Sequence, residues 1–378
     1  MLSYLEVELL RFMKAYRMYK QREKSAVIAM SGGVDSSVAA YLMTEKGYRC
    51  TGITMRLFRN PDIGLSSFHT CCSQKDINDA SDVAFTLDIP YEVLDLTEGF
   101  REKIIDKFIK TYESGGTPNP CIDCNRYMKF DKLLDYAVRK GFSYIVTGHY
   151  ARIEYDKDSS RYLLRKAYDE DKDQSYVLYM LTQEQLSKIH FPLGEMKKAD
   201  VRRIAEQQGF CNSGKHDSQD ICFVPDGDYA GFMESYTGRK YPEGDFLDMY
   251  GNAIGRHKGA VRYTIGQRKG LGIAAGRPQY VISKDMEENT VVVGAEDHLY
   301  HTTLIADDVN WISIPQIEGS LRCKAKHRYR QKEQWANVCA LDSGKIKIKF
   351  DEPQRAIASG QAVVLYDGDI VLGGGTII

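Results

Sequence analysis

Two groups of residues in this chain could do chemistry: a glycine turn framed by serine and aspartate, and cysteines held in loops. Residues 26 to 37 read Ala-Val-Ile-Ala-Met-Ser-Gly-Gly-Val-Asp-Ser-Ser, an apolar run broken by a turn. A turn such as Ser31-Gly32-Gly33 presents consecutive backbone N–H groups, its glycines let the backbone come close to an anion, and the helix-compatible stretch 38–46 adds a positive dipole end. Pyrophosphate is the anion this cradle suits; an ordinary strand-turn-helix is the inert alternative. No lysine follows Gly33 at the spacing of Gly-x-x-x-x-Gly-Lys-Ser/Thr, which argues against a motor or kinase mechanism.

The cysteines fall in two neighbourhoods. Thr117-Pro118-Asn119-Pro120-Cys121-Ile122-Asp123-Cys124-Asn125 is a proline-stiffened loop preceded by Gly115-Gly116, and Asp217-Ser218-Gln219-Asp220-Ile221-Cys222-Phe223 is a second loop. A Cys-x-x-Cys pair in a cytosolic chain is a redox pair or half of a metal site, to which Cys222 could add a ligand, although the residues needed to close a zinc site are not obvious. Small buried hydrophobes are the alternative reading. It fits Cys50, Cys71, Cys72, Cys211, Cys323 and Cys339 better, because nothing around them suggests thiolate activation.

The elements that must position these residues follow from periodicity. Apolar runs at 53–57, 91–94 and 144–147 alternate with helix-like stretches near 76–87, 100–111 and 129–140, the rhythm of a parallel sheet with helices on both faces. That order puts the glycine turn at the carboxyl end of the first strand, where open α/β sheets bind ligands. From about residue 232 short β-like runs at 279–283, 290–293 and 345–350 replace the long helices. The expected class is therefore α/β: an N-terminal doubly wound parallel sheet, a small middle domain and a C-terminal β-barrel-like domain. The expected divisions are a 1–24 extension, a 25–231 catalytic domain, a 232–294 central domain and a 295–378 β domain.

Composition sets bounds. With 378 residues, 43% of them hydrophobic, the chain is long enough for about two or three domains. Its 51 basic and 52 acidic residues nearly cancel, so any nucleic acid must be held by local patches. Nine cysteines, an odd number, and no secretory signal pattern point to a reducing, cytoplasmic setting. No apolar stretch approaches the roughly 20 residues that span a bilayer. Residues 1–24, with six basic and three acidic residues, read as an amphipathic helix, first packed or solvated, second a partner or RNA contact, and third a start-site artefact.

The Ser-Gly-Gly-x-Asp-Ser turn resembles the ATP-pyrophosphatase superfamily. Further motifs occur in order: Thr-Pro-Asn-Pro-x-x-x-Cys-Asn, Thr147-Gly148-His149-Tyr150, Lys172-Asp173-Gln174-Ser175-Tyr176, Asp217-Ser218 to Cys222-Phe223, the 263–272 segment Tyr-Thr-Ile-Gly-Gln-Arg-Lys-Gly-Leu-Gly, Arg328-Tyr329-Arg330-Gln331 and Leu372-Gly373-Gly374-Gly375-Thr376. Together, from about residue 25 onward, the chain resembles the bacterial tRNA-specific 2-thiouridylase family. The resemblance implies 2-thiolation of the wobble uridine in tRNAs for Lys, Glu and Gln. It implies ATP and Mg²⁺, a tRNA partner, no membrane, and a sulfur donor such as a cysteine desulfurase or sulfur-relay protein.

Carried over position by position, the resemblance puts ATP on Ala29, Met30, Ser31, Gly32, Gly33, Val34, Asp35 and Ser36, with Met55 and Gly148 also lining the nucleotide. Cys222 would hold a persulfide and Cys124 would free its sulfur, closing a Cys124–Cys222 disulfide. Uridine C2 becomes a good electrophile once its oxygen is adenylated and can leave as AMP, and a persulfide anion is a strong nucleophile at neutral pH. Asn119, Pro120 and Cys121 would meet the target base, while His149, Lys172, Asp173, Gln174, Arg328, Tyr329 and Gln361 match tRNA-contacting positions. Many members carry Asp where this chain has Cys121, so the general base is displaced; the nearest carboxylate is Asp123. The change also offers Cys121, Cys124 and Cys222 as ligands of an iron-sulfur cluster, the alternative to the persulfide route.

Two basic segments support an RNA partner independently. Arg322, Lys324, Lys326, Arg328, Arg330 and Lys332 occupy every even position of 322–332, so in one strand they would share a face. The stretch 255–277 holds six more basic residues and no acid. Another ATP-pyrophosphatase, such as an amidotransferase-type or lysidine synthetase, would share the loop without needing Cys124 and Cys222. A non-enzymatic tRNA-binding module is disfavoured by the intact loop.

Overall fold

The structure is a computed structural model that describes residues 24–59, 73–215, 221–224, 226–274 and 276–378. The expected N-terminal helix, the Cys71–Cys72 pair and Asp217–Asp220 therefore lie outside the described residues. Strand β1 (Ser25–Ala29) is wholly buried, as a central parallel strand covered on both faces must be. It lies between β2 (Arg49–Arg56) and β4 (Tyr144–Val146), with β3 (Tyr91–Asp95) and β7 (Ile189–His190) at the edges, giving a parallel order β3-β2-β1-β4-β7. Alternate β1 residues face opposite sides. Val27 packs with Phe130, Leu133 and Ile145, and Ile28 packs with Val38, Val83 and Ala84. The chain leaves β1 for β2 on one side and reaches β4 on the other, so a crevice opens between the carboxyl ends of β1 and β4.

Helices cover both faces: α1 (Val34–Glu45), α2 (Gln74–Thr86), α3 (97–113), α4 (120–139) and α5 (Lys198–Gln207), followed by α6 (Tyr229–Thr237). Helix α2 starts on a reciprocal cap in which Ser73 Oγ accepts from Asp76 N at 3.2 Å and Asp76 Oδ2 accepts from Ser73 N at 3.1 Å. Helix α4 begins at Pro120, whose missing N–H costs nothing in a first turn, and widens to π-helical winding over Cys124–Lys132. All the expected helices and strands of this domain are present.

The hairpin of β5 (Arg152–Asp156) and β6 (Arg161–Arg165), which sequence patterning did not isolate, leaves this domain to join the last sheet. The middle sheet is β10-β11-β8-β9, from β8 (Gly244–Leu247), β9 (Ala253–His257), β10 (Tyr280–Asp285) and β11 (Thr290–Gly294). The C-terminal sheet comprises β12 (Tyr300–Trp311), β13 (Ser320–Lys326), β14 (Gln334–Ala340), β15 (Ile346–Arg355), β16 (Ala362–Asp367) and β17 (Ile370–Ile377). Its antiparallel order β12-β15-β14-β13-β16-β17 closes through β12–β17 pairing into a barrel, and β6 pairs with the start of β17, Leu164 opposite Val371. No helix among the described residues is long and apolar enough to cross a membrane.

The basic stripe is not one face. β13 ends at Lys326, Cys323 and Ala325 point into the barrel core, and Lys326 is buried over the rings of Tyr176 and Tyr366. Taking Lys326 inside turns the chain: His327 N donates to Gln331 Oε1 at 3.2 Å, so Arg328, Arg330 and Lys332 follow on a turn and not on the strand. Arg322 is tied to Asp351 by two bonds, one of 2.6 Å.

Candidate active site

Beyond β1 the chain turns through Met30-Ser31-Gly32-Gly33 into α1. Gly32 has φ +72°, and a Cβ there would lie 2.3 Å from the Asp76 carbonyl oxygen, so the turn needs glycine. Gly33 caps α1 with no side-chain bond, and its carbonyl accepts from Ser36 Oγ at 3.0 Å and Ser37 Oγ at 3.1 Å. Ser31 N donates to Ser36 Oγ at 3.2 Å. An α-helix start with no side-chain cap behind a glycine turn is suited to binding phosphate.

Asp35 in the first turn is held from two directions. Lys198 Nζ donates to its two oxygens at 2.7 and 2.8 Å, and Tyr150 OH donates to Oδ1 at 2.8 Å. Lys198, the first residue of α5, is buried. Gly148, just past β4, closes the crevice: a Cβ there would lie 2.7 Å from the Asp35 carbonyl carbon and 2.8 Å from Ser36 N. Behind the loop Asn212 Nδ2 donates to Gly32 O at 3.1 Å and Ser37 Oγ at 2.9 Å. Lys215 Nζ donates to Gly32 O at 3.0 Å and pairs with Asp76 and Asp79. Ala29 to Ser36, Met55 and Gly148, the positions expected to line a nucleotide, thus gather at the carboxyl ends of β1, β2 and β4.

Cys124 is half-buried where α4 widens, and Cys222 is half-buried beyond the second loop. Both pack, with Met55, against one apolar cluster that includes Phe100, Phe108, Met128 and Phe223. Cys121 is exposed one turn earlier and lies close enough to Tyr329 to act on its phenol, which burial and the charge of Asp173 push up to about 12. Among the described residues no group of three or more His, Cys, Asp or Glu side chains is placed to hold a metal ion. Asp123 is buried and accepts from Lys107 Nζ at 2.7 Å; burial pushes its carboxyl up while Lys107 opposes the shift. It is occupied by that pair.

The positions matched to tRNA contact separate into surface and scaffold. Tyr329 keeps 40% of its surface exposed, while its OH is engaged inward, donating to Asp173 O at 3.0 Å. Gln361 Nε2 donates to Thr117 O at 2.9 Å, two residues before Asn119. Arg328 donates to Ala356 O at 2.7 Å, and Lys172 is partly exposed. Three others are committed within the fold. The Asp173 carboxylate accepts from Ala167 N, Ser175 N and Ser175 Oγ at 3.0, 3.1 and 2.8 Å. Gln174 exchanges two 2.9 Å bonds with the Tyr150 backbone. His149 is buried, bonded to Thr147 Oγ1 at 2.7 Å, and burial with the nearby Lys129 holds its imidazole well below its ordinary pKa.

Sequence reasoning missed Lys198, Tyr150's hydroxyl role, Asn212 and Lys215. Lys198, Asn212 and Lys215 come from segments far along the chain and carry no local motif, whereas Tyr150 stands in the 147–150 motif, which gives no sign that its hydroxyl reaches Asp35.

The family described as the tRNA methyl transferase HUP domain matches residues 24–226, the tRNA methyl transferase PRC-barrel domain matches 230–295, and the aminomethyltransferase beta-barrel domain matches 301–377. The tRNA-specific 2-thiouridylase MnmA 2 of Caldanaerobacter subterraneus subsp. tengcongensis is 49% identical over 358 residues, 94% of this chain and 98% of that protein. The tRNA-specific 2-thiouridylase MnmA of Clostridioides difficile is 49% identical over 354 residues, again 94% and 98%. That of Acetivibrio thermocellus is 48% identical over 356 residues, covering 94% and 99%.

Proposed function

The chain belongs to the tRNA-specific 2-thiouridylase family, and from that membership we propose that it replaces the C2 oxygen of the tRNA wobble uridine with sulfur, consuming ATP and releasing AMP and pyrophosphate. The tRNAs are those for Lys, Glu and Gln. The observation that supports this reading best is the shared wall: Met55 beside the phosphate turn, Cys124 and Cys222 pack on one apolar cluster. A nucleotide and two thiols on one wall are what activated sulfur transfer requires.

In this reading the phosphate turn and α1 hold the triphosphate through backbone N–H groups, and Gly148 keeps the crevice tight against Asp35. Uridine O2 bonds to the α-phosphorus as the α–β bridging bond breaks, and pyrophosphate leaves. The terminal sulfur of a Cys222 persulfide then bonds to C2. The Cys124 thiolate attacks Cys222 Sγ, the persulfide S–S bond breaks toward the transferred sulfur, and AMP departs with the C2–O bond. The products are C2=S and a Cys124–Cys222 disulfide, which an external dithiol reduces. A donor such as a cysteine desulfurase or sulfur-relay protein reloads Cys222. Asp35 is the carboxylate that would hold a Mg²⁺ carried by the triphosphate, where the ion would offset phosphate charge while keeping most of its waters.

The test is thiolation of unmodified tRNA by iron-free protein with ATP, Mg²⁺ and a persulfide donor, read by mass spectrometry of nucleosides. The expected products are 2-thiouridine, AMP and pyrophosphate in equal amounts. ADP in place of AMP, or activity only after loading with iron, would overturn the scheme.

A further inference from the structure

A cavity of about 310 Å³ opens where the three domains meet. Ser114 reaches it from the turn after α3, Lys284 from β10, and His298, His301 and Ser359 from the barrel and its approach. The Lys284 Nζ is buried there and has no hydrogen-bond partner among the described residues. Elsewhere this protein gives its enclosed ammonium groups partners: Lys198 has Asp35, Lys215 has Asp76 and Asp79, and Lys326 lies over two tyrosine rings. Burial pulls Lys284 down to about 8, which still leaves it mainly protonated at neutral pH.

An enclosed charge without a counter-charge is costly, and a ligand anion removes that cost. No carboxylate is among the lining side chains. The lining side chains include an ammonium, two imidazoles and the hydroxyls of Ser283 and Ser359, groups able to donate to a tetrahedral oxyanion, while the Ser114 hydroxyl already donates to Thr111 O at 3.0 Å. Ile265 also lines the cavity and belongs to the 255–277 segment, in which Arg268 and Lys269 follow three and four residues on. We propose that this cavity is a phosphate-binding site with Lys284 as its cationic ligand, and that it holds one backbone phosphate of the RNA substrate. The RNA assignment rests on the thiolation reading above; the phosphate assignment does not.

A phosphate there would bear on the cysteine loop. Gly115 lines the same cavity, and a Cβ on it would lie 3.1 Å from Met286 Cγ, so the turn is already close to the middle domain. Two residues on, Thr117 N donates to Ser359 O at 2.8 Å. An anion between Ser114, Lys284 and Ser359 would thus bridge all three domains a few residues before Asn119 and Cys124.

The experiment compares wild type with Lys284→Met and Lys284→Arg, measuring tRNA affinity across a potassium chloride series. Lys284→Met should weaken binding about tenfold and flatten the log–log salt slope by roughly 0.7 to 0.9, the loss of one phosphate contact, while Lys284→Arg keeps the slope. In parallel, inorganic phosphate is titrated into RNA-free protein and melting is followed. If phosphate raises the wild-type melting temperature but not that of Lys284→Met, while the RNA slopes are equal, the ligand is a free phosphate and the RNA assignment is overturned. Equal slopes and equal phosphate responses would overturn the site itself. If no form binds tRNA, the thiolation reading fails and the phosphate titration alone decides the site. Removing an unpaired charge should leave Lys284→Met melting no lower than wild type, and Lys284→Gln replaces it if it does not fold.

Discussion

Lys198→Met is the sharpest probe of the nucleotide cradle, because it removes one partner of a pair that lies directly behind the phosphate turn. Lys198 is 9% exposed, and its ammonium spans both Asp35 oxygens at 2.7 and 2.8 Å. Breaking a fully buried pair costs about 3–5 kcal/mol, but the Asp35 side chain is 32% exposed, so water recovers part of that and about 2 kcal/mol is expected. Tyr150 still donates at 2.8 Å and keeps Asp35 near its place. If the loss falls on the nucleotide step, kcat/KM for pyrophosphate release drops about 30-fold while tRNA affinity is unchanged. The assay pairs urea unfolding and pyrophosphate release in a double-mutant cycle with Asp35→Asn, where the coupling should reach about 1.5 kcal/mol. Additive losses, or undiminished pyrophosphate release in Lys198→Met, would refute the idea that Lys198 sets the carboxylate for the nucleotide.

Gly148→Ala should cost about 1–3 kcal/mol and most of the pyrophosphate release, since the new methyl would stand 2.7 Å from the Asp35 backbone; unchanged ATP-dependent kinetics would mean the crevice is not that tight. Cys124→Ser and Cys222→Ser should each abolish thiolation while pyrophosphate release from the ATP–tRNA mixture persists, and Cys121→Ser should stay active; equal failure of all three would favour a cluster. Stability should fall with acid. The buried His327, both ring nitrogens without partners among the described residues, is pushed down to about 4 by burial, whereas the unfolded imidazole titrates near 6.5. Between those values the unfolded state binds the extra proton, so folding weakens by up to about 1.4 kcal/mol per pH unit as pH drops. His327→Leu should lose less between pH 7 and pH 5 in urea melts, and an equal loss would exclude this histidine as the cause.

Much of the nucleotide domain was legible because its signals are local. An apolar run ending in Ser31-Gly32-Gly33 requires a strand, a left-handed glycine and a helix in that order, and the structure has them as β1, Gly32 at φ +72° and α1. The basic stripe was not legible. Period-two spacing predicts one face only while the strand lasts, and nothing local to 322–332 announces that Lys326 is drawn over Tyr176, 150 positions away in the chain. The same limit hid Lys198, and it gave no sign that the His149 imidazole and the Asp173 carboxylate take hydrogen bonds within the fold. Side chains whose partners lie far along the sequence are settled by tertiary packing, which spacing does not encode.

That packing also explains why a β-barrel belongs to a nucleotide enzyme. The loop before Cys124 has glycine at 115 and 116 and would wander alone, yet the barrel grips it: Thr117 N donates to Ser359 O at 2.8 Å and Gln361 Nε2 to Thr117 O at 2.9 Å. Gly360, at φ +83°, allows the approach, since a Cβ there would lie 2.9 Å from Thr111 Cγ2 and 3.0 Å from Thr117 O. The ion pair between Arg126 and Asp308 adds to the junction, but both side chains are more than a third exposed, so it contributes about 1 kcal/mol at most. Backbone bonds and close glycine packing therefore carry the registration of this loop, helped by β6 pairing with β17. The barrel thus acts as the jig that sets the loop carrying Asn119 and leading to Cys124, and its Ala362, Val364, Tyr366 and Val371 share one apolar cluster with Val27 and Ala29 of the strand that ends in the phosphate turn.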